Sequence, residues 1–342
     1  MKILYLTSTE EDYLSDSLLI GLRTLLGENC IDYPKRDILY KNCPKESFES
    51  VRGFGFTLYN EFLEDINIDR FHIEPKVKEK YYDLIIFSDI WRQWGLYLQM
   101  KSFLDYNRTI FIDTADTPQV YPFAGRWIRD IEFLFLTKIS NKSLYFKREY
   151  TELSRFNWWH RLLHKSILKK ISNSSNLRRI SFSIPEEKII DYKPKKDKQF
   201  TKHIVDPEVS KNVRGSYEKY AFCNELEYYE DIRKSKYGIT TKRPGWDALR
   251  HYEIAANGTV PCFLNLNLKP ETCAPHGLDS SNCIIYSNYR DLMDKIDNIS
   301  ESEYALYQSN AMKWACSNSS RSRAIQILKE TGNWKKFLEA ND

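Results

Sequence analysis

KYGITTKRPGWDALRHYEIAANGTVPCFLNL, residues 236 to 266, decides how the rest of the chain is read. Its spacing predicts a short strand over Tyr237–Thr241, a polar turn with Pro244 and Gly245, and a helix from Trp246 to Ala256. Asn257-Gly258 follows, where a left-handed cap closes a helix. The apolar run Val260–Leu264 reads as a second strand. A strand–helix–strand unit of this size is the repeat from which parallel α/β sheets are built. Its polar residues gather at the strand-to-helix turn and the early helix, the edge of such a sheet where ligands bind. Lys242, Arg243, Arg250, His251 and Glu253 all fall there.

The block resembles the nucleotide-sugar motif of glycosyltransferases of the GT-B fold. In that family a helix carries a Glu, then small residues and a Gly, then a strand with a Pro near its start. Here the stretch runs Glu253-Ile-Ala-Ala-Asn-Gly258-Thr-Val-Pro261. The resemblance implies that Glu253 bonds the ribose of a nucleotide, that Lys242, Arg243 or Arg250 holds its diphosphate, and that His251 and Gly258 belong to the same binding set. Many retaining members carry a second Glu eight positions earlier, and that position here is Gly245. The run Lys242–Pro261 is also similar to the C-terminal part of certain bacterial surface-polysaccharide glycosyltransferases, which implies a role in polysaccharide biosynthesis.

Elementary chemistry points the same way. A nucleotide-diphosphate sugar presents two charged phosphates and a ribose diol. Phosphates favour Lys, Arg and the positive end of a helix, and a diol favours a carboxylate that accepts from both hydroxyls. Lys242, Arg243, the helix start near Trp246 and Glu253 supply all three within about two helical turns. The same residues also suit an ordinary surface helix, with Arg250 paired to Glu253 or Asp247 for ~0.5 kcal/mol each.

The chain has 342 residues, enough for two domains. At 42% hydrophobic and 14% aromatic it can build a packed core, and global disorder is excluded. A net charge of only +4 argues against a nucleic-acid binder with a field over the whole molecule. The seven cysteines are odd in number and include no Cys-X-X-Cys, so neither a zinc site nor a redox motif is expected. MKILYLTST reads as a strand start, not an apolar leader, and no apolar run approaches the ~20 residues that span a bilayer. The expectation is a cytoplasmic protein, at most attached to the inner face of a membrane.

Lys2–Thr7, Asp83–Ser88 and Thr109–Asp113 read as buried strands, with further strands over Leu144–Lys147 and Arg179–Ser183. Ser15–Leu26 has helical spacing. This alternation predicts a Rossmann-like acceptor domain over residues 1–190. No Gly-X-Gly-X-X-Gly follows the first strand, so no dinucleotide cofactor is expected. Pro185–Lys202 is polar and lysine-rich and reads as a linker. A smaller Rossmann-like nucleotide-sugar domain follows over 200–318, opening with a strand over Phe200–Val205. The last helix, Arg321–Leu338, crosses back to the first domain in the GT-B pattern. The fold class expected is therefore α/β, with two Rossmann-like domains facing a cleft.

Asp113 and Asp116 end a buried strand, where a carboxylate can serve as the base for an acceptor hydroxyl; Asp before Pro equally suits a turn or cap. Asp89 with Arg92, and His276, are weaker candidates for the same cleft. Gly53-Phe-Gly55 reads as a glycine turn, either a plain loop or one near the substrate. No Asp-X-Asp occurs in the chain, which favours a metal-independent mechanism in which cations and a helix dipole stabilise the leaving diphosphate. Trp158–Ile171 is a basic, Trp-bearing amphipathic pattern, suited either to an anionic membrane surface or to docking on the sheet.

These readings converge on a hexosyltransferase-type glycosyltransferase. It would take a nucleotide sugar as substrate, need no cofactor, and act on a glycan or lipid-linked acceptor, with no nucleic-acid partner. Two rivals remain: a non-catalytic GT-B-like partner of another transferase, and a nucleic-acid-binding protein using the basic linker and the Trp-Lys helix.

Overall fold

The computed structural model describes residues 1–44, 47, 51–59, 62–64, 66–121, 139–151, 154, 164, 176–219 and 221–340, and of Arg52 only the backbone. Among them lie two parallel sheets and ten helices, the α/β class with two Rossmann-like units that the alternation predicts.

The first sheet comprises β1 (Ile3–Leu6), β2 (Cys30–Tyr33), β3 (Leu84–Phe87), β4 (Thr109–Asp113), β5 (Tyr145–Lys147) and β6 (Leu177–Arg179). Their order is β2-β1-β3-β4-β5-β6, with Ile3 in register with both Cys30 and Leu84. All four residues of β1 are buried, as in a sheet covered on both faces. Alternate residues divide between those faces. Ile3 and Tyr5 pack toward the core that contains α1 (Tyr13–Leu26). Leu4 and Leu6 pack toward α2 (Ile73–Lys78) and α3 (Trp94–Met100). Asp12 caps α1 by accepting from the Ser15 N–H at 2.9 Å.

The second sheet is β10-β9-β8-β7, built from β7 (Lys198–Phe200), β8 (Ser235–Thr241), β9 (Val260–Leu264) and β10 (Ile284–Tyr286). Around it lie α4 (Pro207–Asn212), α5 (Glu225–Lys234), α6 (Leu249–Ala256), α7 (Tyr289–Asp297) and α8 (Glu301–Ser317). Gly238 lets α6 lie close on β8, since a Cβ there would stand 2.7 Å from the Ile254 side chain.

Four boundaries differ from the expected ones. The helix after Pro244-Gly245 begins at Leu249, not Trp246, because Asp247 is bound elsewhere. Its carboxylate accepts from the Phe182 N–H at 2.7 Å and the Tyr252 hydroxyl at 2.9 Å, while Ala248 stays extended. The strand expected over Arg179–Ser183 is Leu177–Arg179; the next residues leave the sheet, and Ile184 pairs with Asn318 and Ser320. The expected last helix is two, α9 (Ser320–Glu330) and α10 (Trp334–Glu339), broken at Gly332 with φ 72°. α9 lies against α1, so close that a Cβ on Gly21 would stand 1.9 Å from the Ser320 carbonyl oxygen. The strand expected from Phe200 ends there, and the linker packs on the second domain, with Ile190 N–H donating to the Ala256 carbonyl at 3.0 Å.

Trp158–Ile171 lies outside the described residues apart from His164. Among the described residues no helix is long and apolar enough to cross a membrane.

Candidate functional site

The C-terminal tips of both sheets open on one cleft of about 1060 Å³, the place where parallel α/β sheets bind ligands. The first domain contributes Asp12 after β1, Asp116 after β4 and Arg148 after β5. The second contributes Thr240 and Thr241 at the tip of β8, the Arg243–Gly245 turn, and Arg250 and Glu253 from α6. Of the expected site residues, the fold therefore brings together Arg243, Arg250, Glu253 and Asp116.

Glu253 sits in the cleft wall at 7% exposure. Its Oε1 accepts from the Thr57 hydroxyl at 2.5 Å and its Oε2 from the Tyr228 hydroxyl at 2.5 Å. One donor comes from the first domain and the other from α5. The solvated-helix alternative does not describe α6. Among the described residues Arg250 forms no ion pair with Glu253 or Asp247, and most of the helix is buried. Arg250 instead donates to His203 Nδ1 at 2.8 Å. His203 Nε2–H donates to the Glu218 carbonyl at 3.2 Å, which fixes the tautomer that accepts from Arg250. Burial, with the Arg250 charge second, pushes His203 down to about 3. It stays neutral at ordinary pH and holds the guanidinium at the cleft.

Other expected residues lie off the wall. His251 stands behind it, fully buried and pushed by burial down to about 4. Its Nε2–H donates to the Trp246 carbonyl at 3.0 Å, so its Nδ1 accepts from the Thr240 hydroxyl at 2.7 Å. It positions Thr240, which does line the cleft. Lys242 is exposed, with its ammonium 5.3 Å from the centre of the Trp246 ring. Gly258, at φ 65°, closes the far end of α6, where a Cβ would stand 2.7 Å from Pro194; its role is to cap and pack. Asp113 lies beneath the wall with no exposure. It pairs with buried Lys147 at 2.7 Å and accepts from the Ala115 N–H at 3.1 Å and the Tyr145 hydroxyl. Asp116 is different: its side chain is 46% exposed and one oxygen pairs with Arg148. His276 is held by Ser181 at 2.5 Å and the Thr272 carbonyl at 3.1 Å, away from the cleft.

Gly245 has a steric reason to lack a side chain. A Cβ there would stand 2.5 Å from Glu149 Oε1, 2.6 Å from Asp116 Oδ1 and 3.1 Å from Arg148 Nη1. Carboxylates of the first domain fill the space beside the turn. Glu149 is fixed there by the Trp246 N–H at 2.8 Å and the Cys273 thiol at 2.9 Å.

Sequence reasoning missed Thr57, Tyr228, His203 and Asp12. Asp12 caps α1 and also lines the cleft, and burial followed by the Asp89 charge lifts it to about 6. Arg92 joins Asp89 at 2.7 Å, Glu10 at 2.8 Å and Asp12 at 3.3 Å along the same rim. The Gly53-Phe-Gly55 turn was the available signal for Thr57, two residues on.

Solved structures share this architecture end to end. A glycosyltransferase from Rickettsia africae ESF-5 aligns with a TM-score of 0.53 at 10% identity, over 99% of this chain and 98% of that one. Anabaena HepE in complex with UDP gives 0.52 at 10% identity, over 97% and 100%. HepE with UDP and glucose gives 0.51 at 11% identity, over 97% and 99%. No family model matches the sequence, and no curated protein matches it. The chain has the two-domain GT-B fold.

Proposed function

We propose that the chain is a glycosyltransferase that moves a sugar from a nucleotide-diphosphate donor to a glycan or lipid-linked glycan acceptor. The observation that carries this reading is the convergence of Arg243, Arg250 and Glu253 on one wall of the inter-domain cleft. Arg243 and Arg250 supply the cations for a diphosphate, and Glu253 the acceptor for a ribose hydroxyl. The N-terminus of α6 points its dipole at the same place, and its cap residue, Ala248, supplies no capping side chain. Lys242, exposed just after β8, adds long-range attraction.

Transfer then requires that these cations grip the departing diphosphate more strongly than the bound donor. No metal and no cofactor beyond the donor enters this scheme. Asp116, on the facing wall, is the carboxylate we assign to the acceptor hydroxyl proton, with Asp113 fixing the strand tip beneath it through Lys147. A surface-polysaccharide role and attachment to a membrane through Trp158–Ile171 belong to the same reading; flotation with anionic liposomes tests the attachment.

The fold shared with HepE, whose structures hold UDP, makes a uridine nucleotide the first donor to try. A thermal-shift screen over nucleoside diphosphates is the direct test. At a hundredfold excess over its dissociation constant a true ligand stabilises the protein by about 2.7 kcal/mol. No shift with any nucleotide would end the proposal. It would favour a second reading, a non-catalytic partner of another transferase, which the occupied oxygens of Glu253 and the missing carboxylate at Gly245 also suit.

A further inference from the structure

We infer that the segment Val51–Tyr59 of the first domain is a built-in occupant of the Glu253 carboxylate, and that a donor must displace it to bind. The inference rests on the proposed role of Glu253. It adds a gate that this role does not require.

The segment crosses to the second domain and is fastened there by one residue. The Thr57 hydroxyl donates to Glu253 Oε1 at 2.5 Å and lies 2.7 Å from the Tyr229 hydroxyl. The Thr57 N–H donates to Glu225 Oε1 at 2.6 Å, and Glu225 is in turn paired with Lys188 at 3.0 Å. Beside it the Phe56 ring packs against Tyr228, with centroids 5.9 Å apart. Val51, Gly53 and Phe56 line the cleft itself.

The backbone is held under strain. Gly53, Phe54, Gly55 and Thr57 have φ of 62°, 56°, 73° and 76°. Glycine adopts such angles freely, but a β-branched threonine does so only when its surroundings impose it. Strained backbone of this kind concentrates at switches and ligand clamps. The contact that holds Thr57 in place is an alcohol donating to a carboxylate, the same chemistry a ribose hydroxyl would use. With Thr57 and Tyr228 seated, Glu253 is 7% exposed, so Thr57 holds the oxygen that a ribose hydroxyl would approach from the cleft. Release of the segment relaxes the φ at Thr57, which offsets part of the lost hydrogen bonding. The apparent affinity for a donor is then reduced by the fraction of molecules with the segment in place.

The test titrates UDP by calorimetry into the full-length protein and its Thr57→Val and Thr57→Ser variants, and follows amide exchange over Val51–Tyr59. Thr57→Val keeps the shape and removes the hydroxyl; it should bind UDP about tenfold more tightly, equal to about 1.4 kcal/mol. Thr57→Ser keeps the hydroxyl and should stay near wild type. UDP should speed exchange of the segment in the wild-type protein. Glu253→Gln, with no nucleotide present, should speed it as well. Equal UDP affinity in all three proteins, with exchange unmoved by UDP, overturns the gate and leaves the nucleotide reading standing. Unmoved exchange in Glu253→Gln overturns the gate without reference to any ligand. Binding of UDP to none of the proteins removes the functional reading and the gate together.

Discussion

Arg250 reaches back to His203, at 2.8 Å, and not along its own helix to Glu253 three residues on. The two charges that would cancel in an ordinary surface helix are kept apart, one held by an imidazole and the other by two hydroxyls. A cation and an anion fixed side by side without neutralising each other suit a ligand that carries phosphates at one end and hydroxyls at the other.

His203→Ala leaves Arg250 without its positioning partner. Loss of one hydrogen bond to a charged group is worth about 1.5–3 kcal/mol, so transfer should fall by roughly 10- to 150-fold, with kcat suffering more than KM if the contact strengthens on departure of the diphosphate. Steady-state kinetics against Arg250→Ala checks it. The two variants combined should cost little more than Arg250→Ala alone, because they remove one device.

Asp116→Asn and Asp113→Asn should separate catalysis from folding. Asp116 is half exposed, with one oxygen on Arg148, so its loss should leave the urea midpoint nearly unchanged and cut kcat by about 10²–10⁴-fold, the usual share of a general base. Asp113 is sealed against Lys147. Removing its charge strands a buried ammonium and should cost about 3–5 kcal/mol of stability, seen in urea unfolding before any assay of transfer.

Gly245→Ala places a methyl 2.5 Å from Glu149 and 2.6 Å from Asp116. Overpacking of this kind costs about 1–3 kcal/mol. The neighbours that must move include the proposed base, so activity should fall further than stability does. Gly245→Glu, which adds a larger, charged side chain at the same place, should be worse than Gly245→Ala.

The acid limb of stability follows from opposing groups. Burial lowers His203 to about 3 and His251 and His276 to about 4, against about 6.5 unfolded. Their contribution is present above pH 6.5 and is lost as pH falls toward the folded values. Burial raises Asp12 and Asp247 to about 6, against about 3.9 unfolded. Their contribution is present at low pH and is lost as pH rises through 6. Between pH 4 and 6 the unfolded chain gains about three protons on the histidines and the folded chain about two on the carboxyls. The difference over these five groups is about one proton, so together they should raise stability by about 1.4 kcal/mol per pH unit. Asp12→Asn should steepen that slope to about twice the value, as measured by denaturant unfolding at pH 4.5 and 5.5.

Local pattern carried much of the architecture. β4 and β9 run over the very residues that apolar runs mark, and α6 ends at the Asn257-Gly258 cap. The misplaced start of α6 has a tertiary cause, since Asp247 is bound by Phe182, 65 residues away. The site was legible only in part, for the same reason. Arg243, Arg250 and Glu253 reach the cleft because they sit on one strand–helix unit whose geometry is local. His251, one residue from Arg250, turns inward to Thr240, and helical phase alone would not reveal which neighbour it meets. Thr57 meets Glu253 across 196 positions of sequence; the glycine turn before it marks the loop but not the distant partner.

The proposed reaction requires Glu253 and its cationic neighbours to hold the leaving nucleotide of an activated sugar. Calorimetric titration of UDP into the wild-type protein, Glu253→Ala and Arg250→Ala tests it most directly. One UDP per chain is expected for the wild type, with affinity weakened at least tenfold in each variant; Glu253→Ala, which strands the buried Thr57 and Tyr228 hydroxyls, should also lose about 1–3 kcal/mol of stability. Binding of equal strength in all three, or in none, would contradict it.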